Sequence, residues 1–147
     1  MSTIAMRCCA AVGICLLVSS CGTRPASKTK PTVPVQGEVY VDGRPAAGVV
    51  IRCENVAGVD ANNPTVSSAK TGEDGRFYVS TYRRADGAPE GQYALVFSWR
   101  EYGVLQHAYI GPDKLKRRYS SAKNSTFRFK VEPGKPVDLG RIELTTR

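Results

Sequence analysis

The sequence has a single histidine, His107, a single tryptophan, Trp99, and a single cysteine beyond the first 21 residues, Cys53. Each scarcity excludes a class of chemistry. A disulfide framework needs several spaced cysteines within the folded part, and Cys8, Cys9, Cys15 and Cys21 are all crowded at the N-terminus. A structural zinc site needs four thiolate or imidazole ligands, and His107 has no cysteine or second histidine near it. No phosphate-binding or dinucleotide-binding glycine motif occurs. No Gly-x-Ser-x-Gly elbow is present to expose a nucleophilic serine. Sustained helical periodicity is missing as well.

Long hydrophobic runs are equally scarce, with one exception. Cys8 to Ser20 is uncharged and rich in Ala, Val, Ile, Leu and Cys, and Arg7 precedes it. That stretch is too short for a spanning helix, which needs about 20 apolar residues. It suits the hydrophobic region of a secretory signal. It ends Leu17-Val18-Ser19-Ser20-Cys21-Gly22, and this run resembles the bacterial lipobox. The resemblance implies cleavage before Cys21, a diacylglycerol on its sulfur and acylation of the new amine. Residues 1–20 are thus expected to form a lipoprotein signal peptide. Two or three acyl chains at about 0.8 kcal/mol per buried methylene make a durable anchor. Residues 21–34 are then the lipidated cysteine and a flexible tether, because Gly22 to Pro34 is rich in Pro, Thr and Lys and has no apolar period. The outer membrane is preferred over the inner, since Gly22 replaces the aspartate that often retains lipoproteins at the inner membrane.

The chain carries 21 basic and 13 acidic residues, for a net charge of +8. This balance favours anionic partners, but an exported protein has little access to nucleic acid.

From Val35 onward the dominant period is two, the mark of half-buried strands. Val35, Val39 and Val41 share a face, then Val49, Ile51 and Cys53, which points inward as a small core residue. Further segments run from Val66 to Lys70 and from Phe77 to Tyr82. Tyr93, Leu95, Phe97 and Trp99 form the strongest set, and Phe127, Phe129 and Val131 follow. In the last segment Val137 and Leu139 are one residue out of phase with Ile142 and Leu144, so a β-bulge is expected at Gly140. Asp42-Gly43 is a favoured hairpin turn. Arg100 to Lys123 shows no clean period. Seven short strands with turns between them imply an all-β antiparallel sandwich over residues 35–147.

Several motifs coincide in order and spacing. V-Y-V-D-G-R-P-A-A-G-V at Val39–Val49 and T-G-E-D-G-R-F at Thr71–Phe77 resemble the opening hairpin and second turn of carboxypeptidase-regulatory-like, or transthyretin-like, domains. D-G-A-P-E-G-Q-Y at Asp86–Tyr93, V-F-S-W at Val96–Trp99 and D-K-L-K-R-R-Y at Asp113–Tyr119 resemble a version found in small planctomycete-type lipoproteins. The resemblance spans Val35 to Leu144. It implies a seven-stranded antiparallel prealbumin-like (Ig-like) sandwich and no established activity. Hydroxyisourate hydrolases and intradiol dioxygenases share related sandwiches. The former need several histidines and a C-terminal Tyr-Arg-Gly-Ser, and the latter hold iron with two tyrosines and two histidines. One histidine and the ending Leu144-Thr-Thr-Arg147 satisfy neither. No catalytic residue, metal or cofactor is therefore expected. A calcium site at Glu73 and Asp74 would need several more oxygen ligands.

The densest charge lies at Lys114, Lys116, Arg117 and Arg118, beside Tyr119. These five residues are candidate contacts for an anionic ligand, with cations for phosphate or uronate groups and a tyrosine ring for sugar stacking. The alternative is a solvated loop whose charges discourage edge-to-edge strand pairing. The leading expectation is a non-catalytic, membrane-anchored envelope lipoprotein that makes structural or protein contacts. An anionic-glycan binding module is the alternative, and a hydrolase using His107, Asp113 and a serine is the remote third.

Overall fold

Val35, Val39 and Val41 alternate with Gln36, Glu38 and Tyr40, and the segment that carries them is the strand around which one sheet is built. The computed structural model describes residues 29–147. Among these there is no helix, and the strands in chain order are β1 (Thr32–Val33), β2 (Val35–Val41), β3 (Arg44–Pro45), β4 (Val50–Asn55), β5 (Ser67–Lys70) and β6 (Arg76–Tyr78). They continue with β7 (Ala88–Pro89), β8 (Gly91–Ser98), β9 (Glu101–Gly103), β10 (Ala108–Ile110), β11 (Arg128–Val131) and β12 (Val137–Leu144). The expected signal peptide, Cys21 and most of the expected tether lie outside the described residues.

Two four-stranded sheets dominate. One has the order β11-β8-β4-β5, the other β12-β2-β3, with β6 also paired to β2. Their apolar faces belong to a single buried cluster. Val35, Val39, Val41, Phe77, Ile142 and Leu144 come from the second sheet, and Ile51, Cys53, Tyr93, Leu95, Phe97 and Val131 from the first. Each of the seven alternating segments contains a strand, and the arrangement is sandwich-like. Fully burying a large aliphatic or aromatic side chain contributes roughly 1.5–3 kcal/mol, so this cluster is the main source of stability.

Three details differ from expectation, each for a physical reason. The packed part begins before Val35: Val33 is buried, and β1 pairs with β7. Composition marked this end as tether, yet a two-residue strand needs only one apolar side chain and one receptive edge. Strand β6 ends at Tyr78 rather than Tyr82: beyond it the Val79 N–H still donates to the Val35 carbonyl, Ser80 bridges to Ser68 of β5, and from Thr81 the chain turns into a loop organised by Asp86. Finally, β12 runs parallel to β2, whereas every other strand pair is antiparallel. Alternation specifies which face is buried, not which way the strand points.

The expected bulge is present. The β12–β2 register shifts between Asp138 and Arg141, Gly140 has φ +61°, and Asp138 Oδ1 accepts its N–H at 2.8 Å. The Asp42-Gly43 turn has φ +49° and +79° and joins β2 to β3, as the type I′ geometry of two-residue hairpins requires.

Candidate binding cleft

Strand β8 carries Tyr93, Leu95 and Phe97 into the core, yet Ala94 and Val96 on its other face are also buried. The segment with no apolar period, Arg100 to Lys123, borders this strand. The backbone N–H of Phe97 donates to the Tyr119 carbonyl, and that of Lys114 donates to the Trp99 carbonyl. Leu115, fully buried, pins the segment to the core.

A buried carboxylate sets the local shape. Asp113 Oδ1 accepts the backbone N–H groups of Trp99 at 2.8 Å and Leu115 at 3.1 Å, and Oδ2 accepts that of Arg117 at 3.1 Å. Its carbonyl takes the Lys116 N–H at 2.8 Å. Charged acceptors make stronger hydrogen bonds than neutral ones, and here they hold a backbone that L-residues disfavour. Lys116 and Arg117 stand at φ +53° and +60°, in the left-handed region that is uncommon for residues other than glycine. Asp113 is therefore a structural anchor, and among the described residues no hydrogen bond joins it to His107 or to a serine side chain.

Between Trp99 and Asp113 the chain makes a hairpin of β9 and β10, with Tyr102 opposite Tyr109. The two rings meet edge-on at 5.3 Å, and the Lys70 ammonium lies 5.6 and 5.7 Å from their centroids. At the tip Leu105 is 92% exposed and Val104 72%. His107 has φ +48°, closes this turn and is exposed, so the hairpin gives it a conformational role.

A cleft of about 510 Å³ opens on the outer face of the first sheet beside this hairpin. Val50, Val96 and Ser98 contribute its sheet side; Arg52, Arg100, Arg117 and Tyr109 also line it. Arg52 donates to Glu54 at 2.7 Å. Among the described residues the guanidinium groups of Arg100 and Arg117 form no ion pair. Two arginines thus line an open cleft without an ion pair, in a wall that also includes Asp113, whose carboxylate oxygens accept backbone N–H groups.

The five expected contacts do not form one face. Arg117 lines the cleft, while Lys116 and Arg118 are exposed elsewhere along the loop. Lys114 lies 3.2 Å from Glu101 and 5.1 Å from the centre of the Trp99 ring. Tyr119 is half-buried, packs edge-on against Phe97 at 6.2 Å and accepts the Thr145 N–H on its hydroxyl. Its ring is part of the core packing and offers no stacking platform. No sequence pattern links Arg52 and Arg100 to Arg117, because Arg52 meets the end of β8 through the β4–β8 pairing and Arg117 meets it through the hydrogen bonds of Asp113 and Tyr119 to Trp99 and Phe97. The one local signal was Asp113 itself, an acidic residue two before a buried leucine.

Other chemically capable groups are also committed. Thr71, buried, accepts the Val49 N–H and donates to the Ala46 carbonyl at 2.6 Å. Asp74 accepts the Arg76 N–H within its own turn. Burial pushes the Cys53 thiol up to about 12, well above the range in which a thiolate forms near neutrality. No group of three potential metal ligands occurs among the described residues.

No family model matches the chain, and no curated protein matches it. A solved structure that it is similar to is a 9R-lipoxygenase from Cyanothece PCC8801, at 12% identity and a TM-score of 0.38. The match covers 78% of this chain and 16% of that one.

Proposed function

We propose that the protein is a non-catalytic module of a cell envelope, tethered to a membrane by a lipid on Cys21, and that it works by binding partner proteins. Its domain is read as a seven-stranded prealbumin-like, Ig-like sandwich of the carboxypeptidase-regulatory-like kind. The observation that carries the interaction role is the β9–β10 hairpin, where Leu105 and Val104 stand in solvent above two half-exposed tyrosines. Contiguous exposed apolar side chains are the usual mark of a contact surface.

Position supports this reading. The chain enters the fold through β1, which pairs with β7 just before β8 begins, whereas the hairpin follows the end of β8. Eight residues of strand separate the two by roughly 25 Å, so a membrane-tethered domain would present the hairpin on its far side. A photo-crosslinking residue at Leu105 in cells is expected to capture one recurring envelope protein; recovery of uncrosslinked monomer alone would overturn the reading. The anchor is tested separately: Cys21→Ala is expected to move the protein from the membrane fraction to the soluble fraction.

A second reading, binding of anionic glycans, is favoured by the cleft and its two unpaired arginines. Hydrolysis is the least supported, since both oxygens of Asp113 accept backbone N–H groups and no hydrogen bond among the described residues joins it to His107 or to a serine side chain.

A further inference from the structure

We propose that the cleft between the β9–β10 hairpin and the Asp113–Ser120 loop binds a carboxylate-bearing sugar chain, with Arg100 and Arg117 holding the acid groups and Tyr109 packing against a sugar face. This rests on the glycan reading above and relocates its site. The expected run Lys114–Arg118 contributes only Arg117; Arg100 and Tyr109 come from the hairpin side.

Four observations converge. First, none of the neighbouring carboxylates is ion-paired with Arg100 or Arg117. Glu54 is paired with Arg52 and Glu101 with Lys114, and both oxygens of Asp113 accept backbone N–H groups. The guanidinium groups of Arg100 and Arg117 are left for a ligand, and a planar fork matches a carboxylate in two parallel hydrogen bonds. Second, the backbone at Lys116 and Arg117 is held in a disfavoured region by a buried carboxylate. Strain that the surroundings over-determine is characteristic of ligand-holding segments, and here it sets the backbone from which Arg117 reaches the cleft. Third, the lining mixes Val50 and Val96 with the hydroxyl of Ser98, as the alternating apolar and polar surface of a sugar requires, while Ser120 donates its hydroxyl to the Arg117 carbonyl at 2.7 Å. Fourth, about 510 Å³ lies within the range of roughly 300–1,000 Å³ that small-ligand sites occupy and is far more than a lone inorganic anion fills. Tyr109 is 42% exposed and fixed by Tyr102, so little freedom is lost when a sugar ring covers it.

The test is calorimetric titration of the full chain with trigalacturonate, its methyl ester and inorganic phosphate at two salt concentrations. Trigalacturonate is expected to bind, more weakly at higher salt, and the ester at least about tenfold more weakly, because each lost charge-assisted pair is worth at least about a factor of ten. Arg100→Ala and Arg117→Ala are each expected to weaken binding about tenfold with unchanged thermal unfolding, and Tyr109→Ala to weaken it several-fold. Lys116→Ala and Arg118→Ala are expected to stay within about twofold. Equal losses at all four basic positions would mean diffuse attraction and overturn the site while leaving glycan binding intact. Stoichiometric displacement by phosphate, or equal affinity for the ester, would overturn the sugar-acid assignment. No acidic-sugar binding at all would overturn both this site and the glycan reading, and would leave the interaction role of the hairpin to its own crosslinking test.

Discussion

Two loops of this protein are each built on one aspartate that accepts three backbone N–H groups, and they end up with opposite characters. Asp86 gathers the N–H groups of Thr81, Tyr82 and Arg83 at 2.7–3.0 Å. The chain it shapes closes on the core: Gly87, Ala88 and Pro89 are buried, and β7 receives β1. Asp113 gathers Trp99, Leu115 and Arg117, but the residues it holds in place include an arginine that faces an open cleft. The same device therefore seals one end of the molecule and holds a cavity at another. The difference lies in what each carboxylate ties together. Asp86 binds three consecutive amides, a local turn, whereas Asp113 joins residues up to 18 apart in sequence around a loop that includes a hairpin.

The comparison can be broken at several points. The largest effect is expected from Gly87→Ala. Gly87 has φ +88°, and an added Cβ would lie 1.7 Å from the Val33 carbonyl oxygen. Closing that end without expelling β1 is impossible, so urea unfolding should register a loss of more than about 3 kcal/mol. Asp113→Ala follows, at about 2–3 kcal/mol, because three amides lose a charged acceptor and two left-handed residues lose their support. This variant should also lose binding of acidic sugar, because the loop that carries Arg117 is no longer held. Asp86→Ala is expected to cost about 1–2 kcal/mol, since its amides lie in a more exposed turn that water can reach.

Acid offers a gentler probe of the sealed end. Burial raises the Asp86 carboxyl, but the three N–H donors outweigh it and hold the group below its ordinary value of 3.8. Its contribution is therefore fully present above pH 3.8 and lost as pH falls through the lower folded value. Amides of the 81–83 turn should gain exchange rate in that window before the core opens, as read by hydrogen exchange. The smallest effect is expected at Arg118→Ala, an exposed cation, where stability should change by less than about 0.5 kcal/mol.

What the sequence made legible follows the same division. Side-chain alternation located the core faces of β2, β4, β8 and β11, the inward Cys53 and the bulge at Gly140, because in each case the relevant neighbours are two residues away. The parallel direction of β12 and the seating of β1 on Gly87 depend on partners far along the chain. So does the cleft: Arg52 and Arg100 belong together because Val50 faces Ser98 and Arg52 faces Val96 across β4 and β8. Charge density drew attention to Lys114–Arg118, but density along a loop carries no information on direction. Tyr119 illustrates this, since its ring turned inward against Phe97 and Phe127. Asp113 was legible only as a carboxylate, its role being fixed by amides that no local pattern relates.

The idea that a buried carboxylate preforms the cleft is tested most directly by amide hydrogen exchange in the ligand-free protein. The amides of Trp99, Leu115 and Arg117 are expected to be protected together, far more than that of Leu105 at the hairpin tip, and to lose protection together in Asp113→Asn. An Arg117 amide that exchanges as fast as Leu105 in the unaltered protein would contradict the account.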